Sequence, residues 1–182
     1  DIIITAYGDM AENPSLTLDI QAVYDIKATT DSSKMVEYDG NNASNVNTVT
    51  IQENAGTLDT AGQEIQISIP LPSGFVDGTD DNVYVTHTKD NGEKYVYKSA
   101  VTSDEQGGFV ATFTNPHGFS TFELTTETAA SITVDGITTY YDTLQEAVDA
   151  VENGQTITLL KTGESAAVTK TVTFTVVNEG GN

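Results

Sequence analysis

Apolar residues alternate with polar ones along several stretches of the chain, which is the pattern of half-buried β-strands. The clearest stretch is SLTLDIQAVYDI, residues 15–26, in which every even-numbered position is apolar or aromatic. QEIQISIPLP, residues 63–72, repeats the pattern and is followed by Gly74, so that Pro72 and Gly74 favour a turn. These two stretches predict long strands with one face on a hydrophobic core.

Seven shorter stretches carry a weaker strand signal and are separated by pieces rich in Gly, Asn and Asp. Asp90-Asn91-Gly92, between two apolar runs, predicts a β-hairpin. About nine short strands without a helical period favour an antiparallel, Ig-like β-sandwich, which we predict over residues 1–127. The shorter strands are predicted at IIITAY, KMVEY, VNTVTIQE, NVYVTHT, EKYVYKSAV, GFVATFT and GFSTFELTT.

The small, polar segment TTETAAS, residues 125–131, precedes a change of pattern and indicates a domain boundary. Beyond it we predict a small αβ unit over residues 128–182, of β-α-β type, in the order strand, strand, helix, strand, strand. Its strands are predicted at SITV, ITTYY, QTITLLK and VTKTVTFTVV, with a turn at Asp135-Gly136.

The helix of this unit is the only one that the pattern predicts with both ends marked. Its start offers a capping box, from Asp142 with Gln145 or from Thr143 with Glu146, and Gly154 suits the left-handed position after its end. Four apolar residues follow the i, i+3, i+4, i+7 spacing, namely Leu144, Ala147, Val148 and Val151.

The segment YYDTLQEAVDAVENGQTITLLK, residues 140–161, resembles the opening of right-handed parallel β-helix regions in large secreted and cell-surface proteins of Gram-positive bacteria. Residues 67–124, with their PLPSGF and HGFSTFEL motifs, are similar to a β-sandwich module of the same kind of adhesin-like protein. The resemblance implies a non-enzymatic spacer or presentation module in a multi-domain protein. It supplies no catalytic residues.

The net charge limits the classes of molecule that this chain can bind. With 27 acidic and 7 basic side chains the net charge is −20, so the surface repels nucleic acid and anionic lipid. No stretch approaches the ~18 apolar residues of a membrane helix, so we expect no direct membrane insertion. The first ten residues lack a signal-peptide pattern, and for an extracellular protein we expect signal and anchor to lie outside this chain.

Calcium is the only cofactor that the composition suggests. The loop DGTDDN brings together four oxygen-bearing side chains, although its spacing is not that of an EF-hand, because Thr88 stands at the twelfth position counted from the first Asp. An ordinary solvated turn is the alternative. The candidate ligands are Asp77, Asp80, Asp81 and Asn82.

Tyrosines are the candidates for contact with a host protein or a glycan, because Tyr combines a rigid ring with a polar tip. Tyr84, Tyr95 and Tyr97 lie on neighbouring predicted strands, and Tyr140 and Tyr141 lie in the C-terminal unit. The alternative is that Tyr84 packs against Tyr95 and Tyr97 across the strands of one sheet.

Catalytic arrangements are weak in this sequence. His87 shares an alternating face with Val83 and therefore reads as a core-edge or surface histidine. His117 and Ser120, in NPHGFS, are close in sequence, but no GxSxG elbow accompanies them and the segment reads as a turn. The absence of Cys excludes disulfides and thiolate catalysis.

Two further possibilities stay open. Paired carboxylates could serve a glycoside hydrolase, although the chain has no Trp to form a sugar platform. Lys27, at the end of the longest strand, could donate an isopeptide bond to an Asn.

The leading hypothesis is a non-enzymatic structural or presentation module of a bacterial surface or secreted protein, in contact with neighbouring domains of its parent. The first alternative is an adhesive module for a host protein or glycan, assisted by calcium. The second is a fragment of a carboxylate-based glycoside hydrolase.

Overall fold

A computed structural model describes residues 2–10, 14–29 and 48–179 of the chain. The described residues are mainly β, with one short helix, and most strand pairs are antiparallel, so the prediction of a mainly β fold is confirmed. The strand predicted at KMVEY, residues 34–38, lies outside the described residues.

Among the described residues, nine strands precede residue 126, followed by four strands and the helix. The first nine are β1 (Ile2–Asp9), β2 (Ser15–Thr29), β3 (Thr48–Thr57), β4 (Ala61–Leu71), β5 (Tyr84–Thr88), β6 (Lys94–Lys98), β7 (Ala100–Ser103), β8 (Phe109–His117) and β9 (Thr121–Thr125). The remainder are β10 (Ala130–Val134), β11 (Ile137–Tyr141), α1 (Leu144–Ala150), β12 (Thr156–Leu159) and β13 (Thr175–Asn178).

These strands form three sheets. A six-stranded antiparallel sheet has the order β1-β2-β9-β5-β6, with β3 added to β2. A three-stranded antiparallel sheet has the order β4-β8-β7. A four-stranded sheet has the order β11-β10-β12-β13, in which β12 and β13 run parallel.

One hydrophobic core lies between the first two sheets. The predicted alternation of β2 buries Leu16, Leu18, Ile20 and Ala22, but Val23 is buried as well and the register with β3 shifts after Tyr24. Inward side chains of both sheets complete this core, among them Ile69, Leu71, Phe75, Val83, Val85, Val101, Ala111, Phe113, Phe122 and Leu124.

The predicted strand EKYVYKSAV is two strands, because the chain crosses from one sheet to the other at Ser99. Its backbone N–H and its Oγ both donate to the carbonyl oxygen of Val83, each at 2.9 Å. Ser99 is buried. This anchor separates β6, at the edge of the six-stranded sheet, from β7, at the edge of the three-stranded sheet.

The helix α1 begins with the predicted capping box of Thr143 and Glu146. It ends at Ala150, earlier than predicted, and Gly154 with φ 82° lies in the turn that follows. Lys170 donates from Nζ to the carbonyl oxygens of Asp149 (2.7 Å) and Val151 (2.5 Å), so a lysine from the following segment satisfies the end of the helix.

A second core lies under α1. It contains Ala130, Ile132, Ala147, Val148, Val151 and Ile157. The predicted strand VTKTVTFTVV is shorter than expected, since only its end belongs to β13. Before β13, Val172 and Phe174 pack on the second core, while the backbone of Thr173 bonds to the turn after α1.

Removing a side chain from the first core tests this packing. Leu124 is fully buried, and we expect Leu124→Ala to lower the free energy of unfolding by about 2–5 kcal/mol through lost burial and a residual cavity. The matched control is Ile137→Ala, at a position 74% exposed, for which we expect a change within about 0.5 kcal/mol. Urea unfolding measures both, and equal losses would contradict the assigned core.

Candidate functional site

The edges of two sheets meet beside the start of α1, where β6 approaches β11. A groove of about 450 Å³ lies at this place. Its walls are formed by Lys94, Tyr95, Val96 and Tyr97 of β6 with Gly92, and by Thr139, Tyr140 and Tyr141 of β11 with Glu146 of α1. We call the region where β5 and β6 contact β11 and the start of α1 the joint.

Asp142 is the polar centre of the joint. Its Oδ1 accepts a hydrogen bond from Thr86 Oγ1 at 2.6 Å, and its Oδ2 lies 4.0 Å from Lys94 Nζ. Lys94 Nζ also lies 3.6 Å from Glu146 Oε1. Burial raises the pKa of Asp142, whereas Thr86 and Lys94 oppose this change by stabilising the carboxylate.

An aromatic contact lies beside this polar group. The ring centroids of Tyr84 and Tyr140 are 5.3 Å apart and the rings are tilted, a geometry that aromatic pairs favour. Tyr84 is buried, and burial together with Tyr140 raises its pKa. The outward face of β5 is therefore covered by the C-terminal strands.

The segment predicted as a domain boundary is packed into the joint. Thr128, Ala129, Ala130 and Ser131 are all buried. Thr128 Oγ1 donates to the carbonyl oxygen of Tyr141 at 2.9 Å. The N–H of Leu160 donates to the carbonyl oxygen of Ala129 at 2.9 Å. The connection is therefore held against β11 and the residue after β12, both in the C-terminal unit.

The three candidate tyrosines do not share a face. Tyr84 lies on the face of β5 towards the C-terminal unit, whereas Tyr95 and Tyr97 pair with the inward positions His87 and Val85. The predicted packing of Tyr84 against both other tyrosines is therefore wrong, because odd and even positions of a strand point to opposite faces.

Tyr95 and Tyr97 are occupied by internal contacts. The Tyr95 ring stacks on His117 with centroids 3.5 Å apart. Tyr97 Oη donates to Asn115 Oδ1 at 3.0 Å, and burial raises the pKa of Tyr97 well above its usual range. Asn115 Nδ2 donates to the carbonyl oxygen of Gly118 at 2.5 Å, which secures the bend after β8. That a ligand contacts these tyrosines stays a prediction.

Histidine positions differ from those expected. His87 is not at the edge of the core but fully buried, and its Nε2 lies 2.7 Å from Ser120 Oγ. The serine near His117 in sequence thus pairs with the other histidine. His117 itself is the last residue of β8 rather than part of the turn, which follows it. The chain bends at Gly118, whose φ is 81°, and after this bend Ser120 lies beside His87.

The acidic loop closes on itself. Asp81 Oδ2 accepts from the N–H groups of Asp77 at 2.7 Å and Gly78 at 3.0 Å, while Asp77, Asp80, Asp81 and Asn82 are exposed. Within the part of the chain that the structure describes, no three or more His, Cys, Asp or Glu side chains are grouped to hold a metal. Calcium binding there stays a hypothesis, to which an ordinary turn is the alternative. The isopeptide role of Lys27 also stays a hypothesis, and its side chain lies outside the described atoms.

Sequence reasoning missed the joint. Asp142 was identified only as a possible helix cap, and Thr86 and Lys94 carried no signal at all. The described residues contain no helix long and apolar enough to span a membrane. Comparisons with known protein families, with curated proteins and with solved structures find no match to this chain.

The hydrogen bond to Asp142 can be tested by two substitutions. Thr86→Val leaves Oδ1 of a half-buried carboxylate without its donor, and we expect a loss of about 1–2 kcal/mol in the free energy of unfolding. Asp142→Asn keeps a carbonyl acceptor for Thr86 and gives up only an ion pair with a half-exposed lysine, so its loss is expected to be under about 1 kcal/mol. Urea unfolding at neutral pH compares them, and the reverse order would refute the assignment.

The acidic loop is tested by thermal unfolding with and without millimolar calcium. A ligand that binds only the folded state raises the midpoint, by an amount that grows with the logarithm of its free concentration once that concentration exceeds Kd. Because Asp81 already serves the amides of its own loop, we expect no shift of the midpoint. A shift of several degrees that disappears in Asp80→Asn would instead establish an ion at this loop.

Proposed function

We propose that this chain is a structural module of a secreted or surface-displayed multi-domain protein, in which an Ig-like β-sandwich and a small αβ unit act together as a rigid, non-enzymatic spacer. The observation that carries this proposal is the packed joint. Bending it would separate the rings of Tyr84 and Tyr140 and would break the hydrogen bond between Thr86 and Asp142. A spacer that transmits position needs such a connection.

The carboxylates of the joint are engaged in structure, which favours a spacer over a hydrolase. Asp142 contacts Thr86 and Lys94, while Glu146 Oε1 faces Lys94 and its Oε2 accepts from the N–H of Thr143 at 3.2 Å. A glycoside hydrolase needs one protonated acid and one free base or nucleophile directed at a substrate. Here each of the four carboxylate oxygens faces a group of the protein.

The exposed edge of β13 supports a role within a longer assembly. β13 is the last strand of its sheet among the described residues and runs parallel to β12. Its Val176 and Val177 are 49% and 42% exposed. A further parallel strand would find unpaired backbone groups and apolar side chains there, as in the stacked coils that residues 140–161 resemble.

Charge suits display at a surface. A net charge of −20 keeps the module soluble and separate from other anionic surfaces. Few cations are available to neutralise it, and three of them bond to the C-terminal unit or its boundary: Lys94 of β6 contacts Glu146, Lys161 contacts Glu127, and Lys170 binds the end of α1.

Rigidity is measured by ¹⁵N relaxation of both units. We expect one rotational diffusion tensor for residues 15–29, 48–125 and 130–178 in the unmodified chain. The double substitution Thr86→Val with Lys94→Ala removes both polar contacts of Asp142, and we expect it to give the units partly independent motion. The control is Thr102→Val, on exposed β7.

Independent tumbling of the two units in the unmodified chain would refute the spacer. Rigid tumbling together with reproducible, saturable binding on an array of glycans and extracellular-matrix proteins would replace the spacer by the adhesive alternative. A blank array with rigid tumbling supports the spacer.

A further inference from the structure

His87 occupies an unusual place for a titratable residue, at the centre of the first core. Its side chain is 0% exposed, and its ring lies flat on Phe122, with centroids 4.3 Å apart and an interplanar angle of 8°. Hydrogen bonding of buried polar atoms is the rule in proteins. His87 satisfies that rule at one nitrogen only.

The hydrogen bonds of Ser120 determine where the imidazole proton lies. Ser120 Oγ donates its single proton to the carbonyl oxygen of Thr88 at 2.9 Å. It can therefore only accept from His87 Nε2, at 2.7 Å, so Nε2 carries the proton of the neutral ring. Nδ1 is then an unprotonated acceptor, and it has no partner, a condition shared among described buried side-chain atoms only with Thr60 Oγ1.

The groups around His87 make a second proton costly. The ring centroid of Tyr95, on β6, lies 6.2 Å from that of His87. The Tyr95 ring also stacks on His117, the last residue of β8. Burial, together with the nearby His117 and Lys89, lowers the pKa of His87 to about 4, while Glu93 raises the pKa of His117. No carboxylate is among the groups that shift the pKa of His87 itself.

We propose that His87 and Ser120 form a proton-sensitive latch, in which protonation of the buried imidazole at Nδ1 releases residues 117–120 and the adjoining ends of β5 and β9. The cationic ring would need an acceptor at Nδ1, and the core offers none. Reaching water requires the ring to leave Phe122 and to give up Ser120. Ser120, just before β9, also donates to the carbonyl oxygen of Thr88 at the end of β5, so release of Ser120 frees the ends of both strands.

The sign of the pH effect follows from the two states. The released histidine has its ordinary pKa near 6.5, whereas the packed one binds a proton only near pH 4, so acid favours the released state across that window. Asp142 acts in the opposite sense, because its pKa is raised in the folded protein and acid therefore favours its packed state. The latch is thus identified by comparing variants, not by the pH profile of one protein.

The test uses His87→Gln, because the side-chain N–H of Gln can replace the Nε2 donor to Ser120 and does not titrate. The control is His117→Gln, which removes the half-exposed histidine. Urea unfolding from pH 7 to pH 4.5 gives the protons taken up on unfolding. At pH 5.5 we expect His87→Gln to take up about one proton fewer than the unmodified protein, and His117→Gln to change the uptake by less.

Hydrogen exchange and NMR of the unmodified protein complete the test. We expect faster exchange of the amides of β5 and β9 below pH 5 than at pH 7 after correction for intrinsic rates, with His87→Gln abolishing the acceleration. We also expect the His87 ring to remain neutral with its proton on Nε2 down to about pH 5. Equal proton uptake in His87→Gln would overturn the latch. An ordinary titration of His87 near pH 6.5 would also overturn it, and because this titration uses the unmodified protein it does not depend on the variant being folded.

Discussion

The burial of Phe122 and Leu124 on β9 is the interaction on which the rest of the fold depends. Both side chains are fully buried, and β9 pairs with β2 on one side and β5 on the other. The strand therefore joins the N-terminal hairpin to the hairpin of β5 and β6 while contributing to the first core. Its continuation, through Thr128 and Ala129, carries the chain directly into the second core, so one strand organises both.

This position of β9 also explains why polar groups are found so deep in the protein. Ser120, immediately before β9, joins His87 and Thr88 to the bend after β8. Asn115 Nδ2 donates to the carbonyl oxygen of Gly118 in the same bend, and Asn115 Oδ1 accepts from Tyr97 Oη. A sheet whose central strand begins at a tight bend must satisfy the backbone groups of that bend, and Asn115 and Ser120 each donate to one of the carbonyl oxygens there. The unpartnered Nδ1 of His87 is the one exception in this group.

Acidity shapes the remaining interactions. Two lysines form ion pairs where the C-terminal unit meets the rest of the chain: Lys94 contacts Asp142 and Glu146, and Lys161 contacts Glu127, whereas the pair of Lys89 and Glu93 lies within one hairpin. Such half-exposed pairs contribute about 1 kcal/mol or less each. Hydrophobic burial and the hydrogen bond from Thr86 must therefore hold the joint, with the lysines adding orientation. Lys170 acts differently, since it caps a helix end rather than a carboxylate.

The sequence by itself determined the β-rich class and the hairpin at Asp90-Asn91-Gly92, and it limited the helix start to two capping boxes, of which the structure has that of Thr143 and Glu146, because these features depend on neighbours within a few residues. It did not determine the change of sheet at Ser99, the opposite faces of Tyr84 and Tyr97, or the pairing of His87 with Ser120. Each of these is a contact between residues 13 or more positions apart, or depends on which sheet covers a face. Alternation reports that a strand has two faces. Only the packing of the sheets decides what covers each face, and here that packing buried a histidine, closed the predicted boundary and created the joint.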